Sequence, residues 1–200
     1  MDEQLARIAR KLKIARQRPP SRIAGDHAHG YMLNPPLPEP IVASFERQHR
    51  IELPEGYRAF LTRMGNGGAG PFYGMLPLER WSVAVDPLLE GAPGDDLLER
   101  PSPLRDARTR VDWLELIEGR TTGLDPAAWH PYQGAIAVCR EGGAYFALLV
   151  VTGPERGRVC NVDLELGPPK FSPQPGFLEW YEAWLDEVLS GKDLSGFGYA

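Results

Sequence analysis

The sequence contains little cysteine and no long hydrophobic run. Only Cys139 and Cys160 occur among its 200 residues; they could pair with each other, but so few cysteines favour reduced thiols within a core. No stretch approaches the about 18 consecutive apolar residues that a membrane span requires. The first residues, 1–4, are polar and do not lead into the apolar segment of a secretory signal. We therefore expect a cytoplasmic protein that does not enter a membrane.

The sequence also lacks the short motifs that accompany common catalytic sites. It contains no G-x-S-x-G, H-E-x-x-H or P-loop pattern. His27 and His29, beside Asp26, are too few for a zinc site, which needs three or four ligands at recognisable spacing. Cys139 lies within an apolar stretch, where burial would keep its thiol protonated and inert. We expect no catalytic residue, no metal site and no cofactor, and an enzyme that uses Cys139 or the glycines described next is the alternative.

A glycine-rich run matches G-x-G-x-x-G. It reads Gly65-Asn66-Gly67-Gly68-Ala69-Gly70. A dinucleotide site needs a strand before such glycines and a helix after them, so that the helix N-terminus faces the pyrophosphate. Here residues 53–64 predict a helix before the run, with Pro54 at its first position and Gly65 as a left-handed cap, and residues 72–78 predict a short strand after it. The reversed order favours a tight turn with several positive φ angles over phosphate binding.

Charge is distributed unevenly along the chain. The net charge is −5, but residues 1–22 carry seven Lys or Arg against two acidic residues, so this segment is positive and the rest is strongly negative. An acidic body argues against nucleic acid as the main partner and suits a basic protein partner, although solubility alone would also explain it. Residues 2–18 predict an amphipathic helix that docks on its own domain, with a membrane-surface or nucleic-acid arm as the alternative.

The remaining pattern predicts one α+β domain, with a mainly antiparallel sheet and flanking helices. Short glycine-bearing connections join the predicted strands, and such connections are too short for parallel pairing. The predicted strands are Ala135–Cys139, Ala144–Val151 and Arg158–Leu164. Further helices are predicted over 40–50, 112–117 and 175–189, the last one ended by Gly191. We predict an N-terminal basic helix and linker over residues 1–29, the domain over 30–190, and a C-terminal tail over 191–200.

The segment Leu53–Gly74 resembles the central signature of the SMI1/KNR4, or SUKH, family. In that family a helix with the pattern LP-x-x-Y-x-x-FL runs into a turn with the pattern NGG-x-GP-x-YG. The matching motif residues here include Leu53, Pro54, Tyr57, Phe60, Leu61, Asn66, Gly67, Gly68, Gly70 and Gly74. Further similarity in the lead-in at 33–37, in the predicted strands and in the last helix extends the resemblance over about residues 30–190.

The resemblance implies an α+β domain without catalytic machinery that acts by binding another protein. Bacterial members are widely associated with immunity against polymorphic toxins, and eukaryotic relatives act as regulatory scaffolds. We therefore expect an immunity protein that binds and neutralises a toxin, such as a nuclease. A regulatory or scaffolding module that binds an endogenous protein is the alternative.

The contact surface is expected outside the signature, because the core and the turn already explain the motif residues. The acidic segment 86–118, which holds nine carboxylates against four arginines, is the best candidate. Carboxylates there could occupy a positive groove of a toxin, whereas a solvated acidic loop is the plain alternative. The predicted partner-binding residues are Asp95, Asp96, Glu99, Asp112 and Glu115.

Overall fold

A four-stranded antiparallel sheet with flanking helices forms the architecture, so the predicted α+β class is confirmed. The computed structural model describes residues 1–18, 26–84, 96–107, 109–121, 129–165, 167–191, 194 and 197. The described helices are α1 (Asp2–Arg16), α2 (Asp26–His29), α3 (Glu39–His49), α4 (Glu55–Arg63), a 3₁₀ helix (Leu78–Arg80), α5 (Arg110–Thr121) and α6 (Phe177–Ser190). The described strands are β1 (Ala135–Gly142), β2 (Tyr145–Val150), β3 (Val159–Asp163) and β4 (Gly167–Phe171).

The sheet has the strand order β1-β2-β3-β4, and every neighbouring pair is antiparallel. The three predicted strands are confirmed: β1 begins at Ala135 as predicted, and the other strand ends differ by one to three residues. β2 is buried from Phe146 to Val150, as expected for a central strand that is apolar on both faces. β4 was not predicted because Pro168 and Pro169 are poor strand formers; its place at the sheet edge explains why they are tolerated.

The opposite edge of the sheet, along β1, is covered by the glycine turn. Met75 forms a bridge with Cys139, Gly68 with Met75, and Leu33 with Gly68. The strand predicted over residues 72–78 is therefore wrong except at Met75. Positive φ angles at Phe72 (50°) and Gly74 (96°) interrupt the extended conformation that a strand needs.

Helix α4 forms as its apolar spacing predicts, but its two ends differ from the prediction. Pro54 is the N-cap and not the first helical residue, and Met64 caps the C-terminus with an ordinary φ of −112°. The left-handed cap predicted at Gly65 is wrong. Gly65 is needed there for space, because a Cβ would stand 2.6 Å from the carbonyl oxygen of Asn34.

The N-terminal helix α1 packs on α6 and shares the hydrophobic core of the sheet and helices. Its buried residues are Leu5, Ile8, Leu12 and Ala15. Toward the C-terminus, α6 ends at Gly191 in the left-handed conformation, as predicted, and Leu194 and Phe197 beyond it are buried. No helix in the described part of the chain combines the length and the apolar character needed to cross a membrane.

Candidate functional site

The signature residues on α4 lie in the core between α4 and α6. Tyr57, Phe60 and Leu61 are each at most 1% exposed. The rings of Tyr57 and Phe60 meet Phe177 edge-on, with centroids 4.8 and 5.3 Å apart. Such aromatic pairs stabilise the packing beyond the area that they bury. These signature residues hold the two helices together.

Asn66 fixes the turn that follows α4. Its side-chain Oδ1 accepts a hydrogen bond from the backbone amide of Leu78 at 2.7 Å, and its Nδ2 donates to Glu79 at 2.9 Å. Its own carbonyl accepts a hydrogen bond from the side chain of Asn34 at 2.9 Å. Asn66 is only 7% exposed, so these bonds replace the hydrogen bonds to water that its side-chain amide loses on burial. The side chain thus links the lead-in segment to the 3₁₀ helix.

Four of the six backbone amides of the glycine run donate hydrogen bonds to carbonyls of the protein itself. The amide of Gly65 donates to the carbonyl of Phe60, that of Asn66 to Pro35, that of Gly68 to Met75 and that of Ala69 to Met32, at 2.8–3.2 Å. A phosphate cradle requires such amides to point at the ligand instead. The run is therefore built as the tight turn that its position predicted, with positive φ angles at Gly67, Gly68 and Gly74.

Both thiols lie inside the core. Cys139 and Cys160 are fully buried and free, and the Sγ of Cys139 donates to the carbonyl of Pro71 at 3.0 Å. Burial raises the pKa of the Cys139 thiol well above its usual range. A protonated thiol is a poor nucleophile and a poor metal ligand. This environment suits a packing role for Cys139.

Of the two candidate loop histidines, only His29 has a described side chain, and the side chains of Asp26 and His27 lie outside the described residues. The Nδ1 atom of His29 accepts a hydrogen bond from the amide of Tyr31 at 3.0 Å, and its ring stands edge-on to Trp184. The described residues contain no group of three or more potential metal ligands. His29 therefore packs the short helix α2 against α6.

The predicted carboxylates Asp96 and Glu99 lie in one turn, and each forms an ion pair. Asp96 contacts Arg100 at 2.5 Å, and Glu99 contacts Arg50 at 2.8 Å. Hydrogen bonding from Arg100, reinforced by its charge and that of Arg50, lowers the pKa of Asp96. Asp96 is therefore ionised at neutral pH, and the side chains of Asp96 and Glu99 remain about half exposed. Asp95, the neighbouring candidate, lies outside the described residues.

Arg50 connects this turn to a shallow pocket at the end of α3. The pocket has a volume of about 460 Å³ and is lined by Ala43, Glu46, Arg47, Arg50, Ile51 and Glu52. We call these residues, together with Asp96, Glu99 and Arg100, the α3 rim. Sequence reasoning missed the contribution of α3, because Arg50 and Glu99 are 49 positions apart and no local pattern joins them.

Asp112 and Glu115 lie elsewhere, on helix α5, which packs against β4. Asp112 has a structural role at the start of α5. Its carboxylate accepts a hydrogen bond from the amide of Thr109 at 2.9 Å, and the Thr109 hydroxyl accepts one from the amide of Asp112. This reciprocal pair is a capping box. Glu115 is exposed one turn later, beside Val111, which is 62% exposed.

The predicted carboxylates therefore form two described groups, one at the α3 rim and one on α5. Between the described residues, no hydrogen bond or ion pair joins these two groups. Comparisons of the chain with protein-family models, with curated proteins and with solved structures found no match. The functional assignment consequently depends on the residues and their surroundings.

Proposed function

We propose that this chain is a non-catalytic, cytoplasmic protein-binding domain of the SMI1/KNR4 type, which neutralises a cognate toxin by covering a basic surface on it. One observation carries the proposal. The residues that resemble the family signature pack in the core or form the turn, whereas the candidate carboxylates Glu99 and Glu115 are exposed on the surface. A recognisable scaffold with exposed, charged and irregular features suits a binding protein whose partner is specific to it.

The charge of the molecule supports a basic partner. Outside residues 1–22 the chain carries a large excess of acidic residues. Complementary potentials accelerate encounter and penalise wrong partners, while exposed pairs add little affinity by themselves. A toxin that acts on nucleic acid has a positive groove of the kind that such carboxylates would enter.

The surroundings of Cys139 support binding over catalysis. Its thiol is buried and its pKa is raised, and four amides of the glycine run donate to backbone carbonyls. The two features that offered an enzymatic alternative in the sequence are thereby accounted for by packing and by the turn.

The test is a survival assay with the toxin domain encoded beside this chain's gene. Cells that express the toxin alone should stop growing, and co-expression of this chain should restore growth. Purified chain should bind the toxin domain in isothermal titration calorimetry. The double variant Glu99→Lys/Glu115→Lys should weaken binding by about ten-fold or more, because it places like charges against a basic surface.

Glu187→Lys is the control for each single charge reversal, since it makes half the charge change of the double variant, in the last turn of α6, where a cation is favourable. It should bind as the unchanged chain does. Failure of the chain to restore growth, or the absence of a toxin gene beside it, would contradict toxin neutralisation. A stable complex with an endogenous enzyme or scaffold protein instead would support the regulatory alternative.

A further inference from the structure

One end of the sheet carries Tyr145 and Asp163 side by side, next to a glycine. Tyr145, at the start of β2, is directly opposite Gly142 of β1 on one side and Asp163 of β3 on the other. Directly opposite residues of antiparallel strands carry their side chains on the same face, about 5 Å apart. Gly142 offers no side chain, so that place is open to a residue from elsewhere. Tyr145 therefore lies between the open place at Gly142 and the carboxylate of Asp163.

The ring of Tyr73 fills the place above Gly142. Its Cε2 atom lies 2.9 Å from the position that a Cβ on Gly142 would take. The backbone holds Tyr73 there, because its amide donates to the carbonyl of Arg140 at 3.2 Å. We call Tyr73, Tyr145 and Asp163 the tyrosine row.

The tyrosine row is accessible and carries a negative charge. Tyr73 is 50% exposed and Tyr145 is 44% exposed, so solvent reaches both side chains. Asp163 is partly exposed, and its Oδ1 accepts a hydrogen bond from the amide of Glu165 at 2.9 Å. No Lys or Arg in the described part of the chain forms an ion pair with Asp163. Two half-exposed tyrosines and a carboxylate that pairs with no described Lys or Arg thus lie at the same end of the sheet.

Aromatic rings beside a carboxylate suit the binding of a guanidinium group. A planar guanidinium stacks on an aromatic face and binds a carboxylate through its fork of N–H donors. Tyrosine also supplies rigid contact area at interfaces with little loss of conformational entropy. We propose that the tyrosine row is a docking site for an arginine side chain on a protein partner, which stacks on Tyr145 and pairs with Asp163. The site goes beyond the proposed function, since it requires neither a toxin nor the α3 rim.

The test uses the full chain, labelled with ¹⁵N, and a six-residue peptide of alternating arginine and glycine with blocked ends. Titration at low salt should shift the amide resonances of Gly142, Tyr145 and Asp163 in a saturable manner. A peptide with glutamine in place of arginine should leave them unchanged. Equal shifts with both peptides, or shifts confined to other parts of the molecule, would overturn the proposal.

Substitutions separate the aromatic contribution from shape. Tyr145→Leu should weaken arginine-peptide binding about three- to five-fold, whereas Tyr145→Phe, which keeps the aromatic face, should bind within about two-fold of the unchanged chain. Asp163→Asn should also weaken binding, and the exposed control Ile41→Leu on α3 should not. Thermal unfolding verifies that each variant is folded.

Equal affinities of Tyr145→Leu and Tyr145→Phe would contradict stacking on the ring. Should Tyr145→Leu unfold, Tyr73→Leu provides the same comparison with Tyr73→Phe, because leucine still covers Gly142. If the chain binds the arginine peptide but does not neutralise a toxin, only the proposed function is refuted. The two proposals can therefore fail separately.

Discussion

Gly68 occupies a position where neighbouring backbone leaves no room for a side chain. Its φ is +98°, and a Cβ would stand 2.5 Å from the carbonyl oxygen of Met32 and 2.9 Å from the Cα of Leu33. Both contacts are with backbone, which cannot turn aside as a flexible side chain can. We expect Gly68→Ala to lower the free energy of unfolding by about 3 kcal/mol, through backbone strain and the displacement of residues 32–33. Urea unfolding followed by far-UV circular dichroism measures this loss.

Gly157→Ala provides the matched control for the contribution of φ alone. Gly157 has a similar φ of +94°, but nothing lies within 4 Å of its Cβ position. This variant should lose only about 1 kcal/mol, the ordinary cost of a left-handed alanine. Equal losses in the two variants would show that the approach of Met32 and Leu33 to Gly68 contributes nothing.

At the scale of single residues, the sequence predicts what depends on local pattern. The apolar spacing of α4 identified Tyr57 and Phe60 as core residues, and the glycine run identified a turn with positive φ angles. It did not predict the positive φ of Phe72, because a phenylalanine rarely adopts this conformation. The need for Gly65 was predicted for the wrong reason, since the close approach of Asn34 is not visible in a linear pattern.

At the scale of elements, the contact between α1 and α6 is both apolar and ionic. Arg7 forms two hydrogen bonds with Glu182, at 2.9 and 3.0 Å, and Lys11 contacts Glu182 at 2.9 Å and Asp186 at 2.5 Å. Glu182 is only 9% exposed. Hydrogen bonds from Arg7 and then Lys11, which outweigh the effect of burial, lower the pKa of Glu182 from 4.5 to about 2. The ionised carboxylate therefore stabilises the packed helices.

Because the folded-state pKa of Glu182 is lower than the unfolded value, its contribution is present above about pH 4.5 and is lost as the pH falls toward about 2. Glu182→Gln should remove about 1 kcal/mol of stability at pH 7, a modest loss because Arg7 is 43% exposed and screened by water. The variant should also lose less stability than the unchanged chain between pH 5 and pH 2. Urea unfolding at each pH measures both effects.

The control variant is Glu187→Gln, whose carboxylate forms no ion pair with a described residue. Its pH dependence should match that of the unchanged chain. A Glu182→Gln variant with the same stability as the unchanged chain at pH 7 and pH 3 would show that this ionic contact is unimportant.

The elements also show where prediction from sequence stops. The spacing of Leu5, Ile8 and Leu12 predicts the buried face of α1, and the short glycine connections predict antiparallel strands. The partner of Arg7 is 175 positions away in the chain, so no local pattern could identify it. In the same way, the α3 rim depends on a contact between Arg50 and Glu99 that only the fold creates.

At the scale of the whole molecule, the positive N-terminal segment does not form a separate basic arm over its described residues. Arg7 and Lys11 of α1 face carboxylates of α6. Part of the local excess of cations is thereby neutralised within the fold. The negative charge of the rest of the chain therefore dominates the electrostatic field around the molecule.

Because of this field, we expect the rate of association with the toxin to depend on the salt concentration. The rate constant for association with the toxin domain of the survival assay should fall about ten-fold between 50 and 500 mM NaCl, while the dissociation rate constant changes little. Stopped-flow fluorescence of the tryptophans measures both rates. Glu99→Lys/Glu115→Lys should flatten this dependence, and Glu187→Lys should lower it only slightly, because it removes negative charge away from the two carboxylate groups. An association rate that is the same at both salt concentrations would show that the acidic surface serves solubility and not recognition.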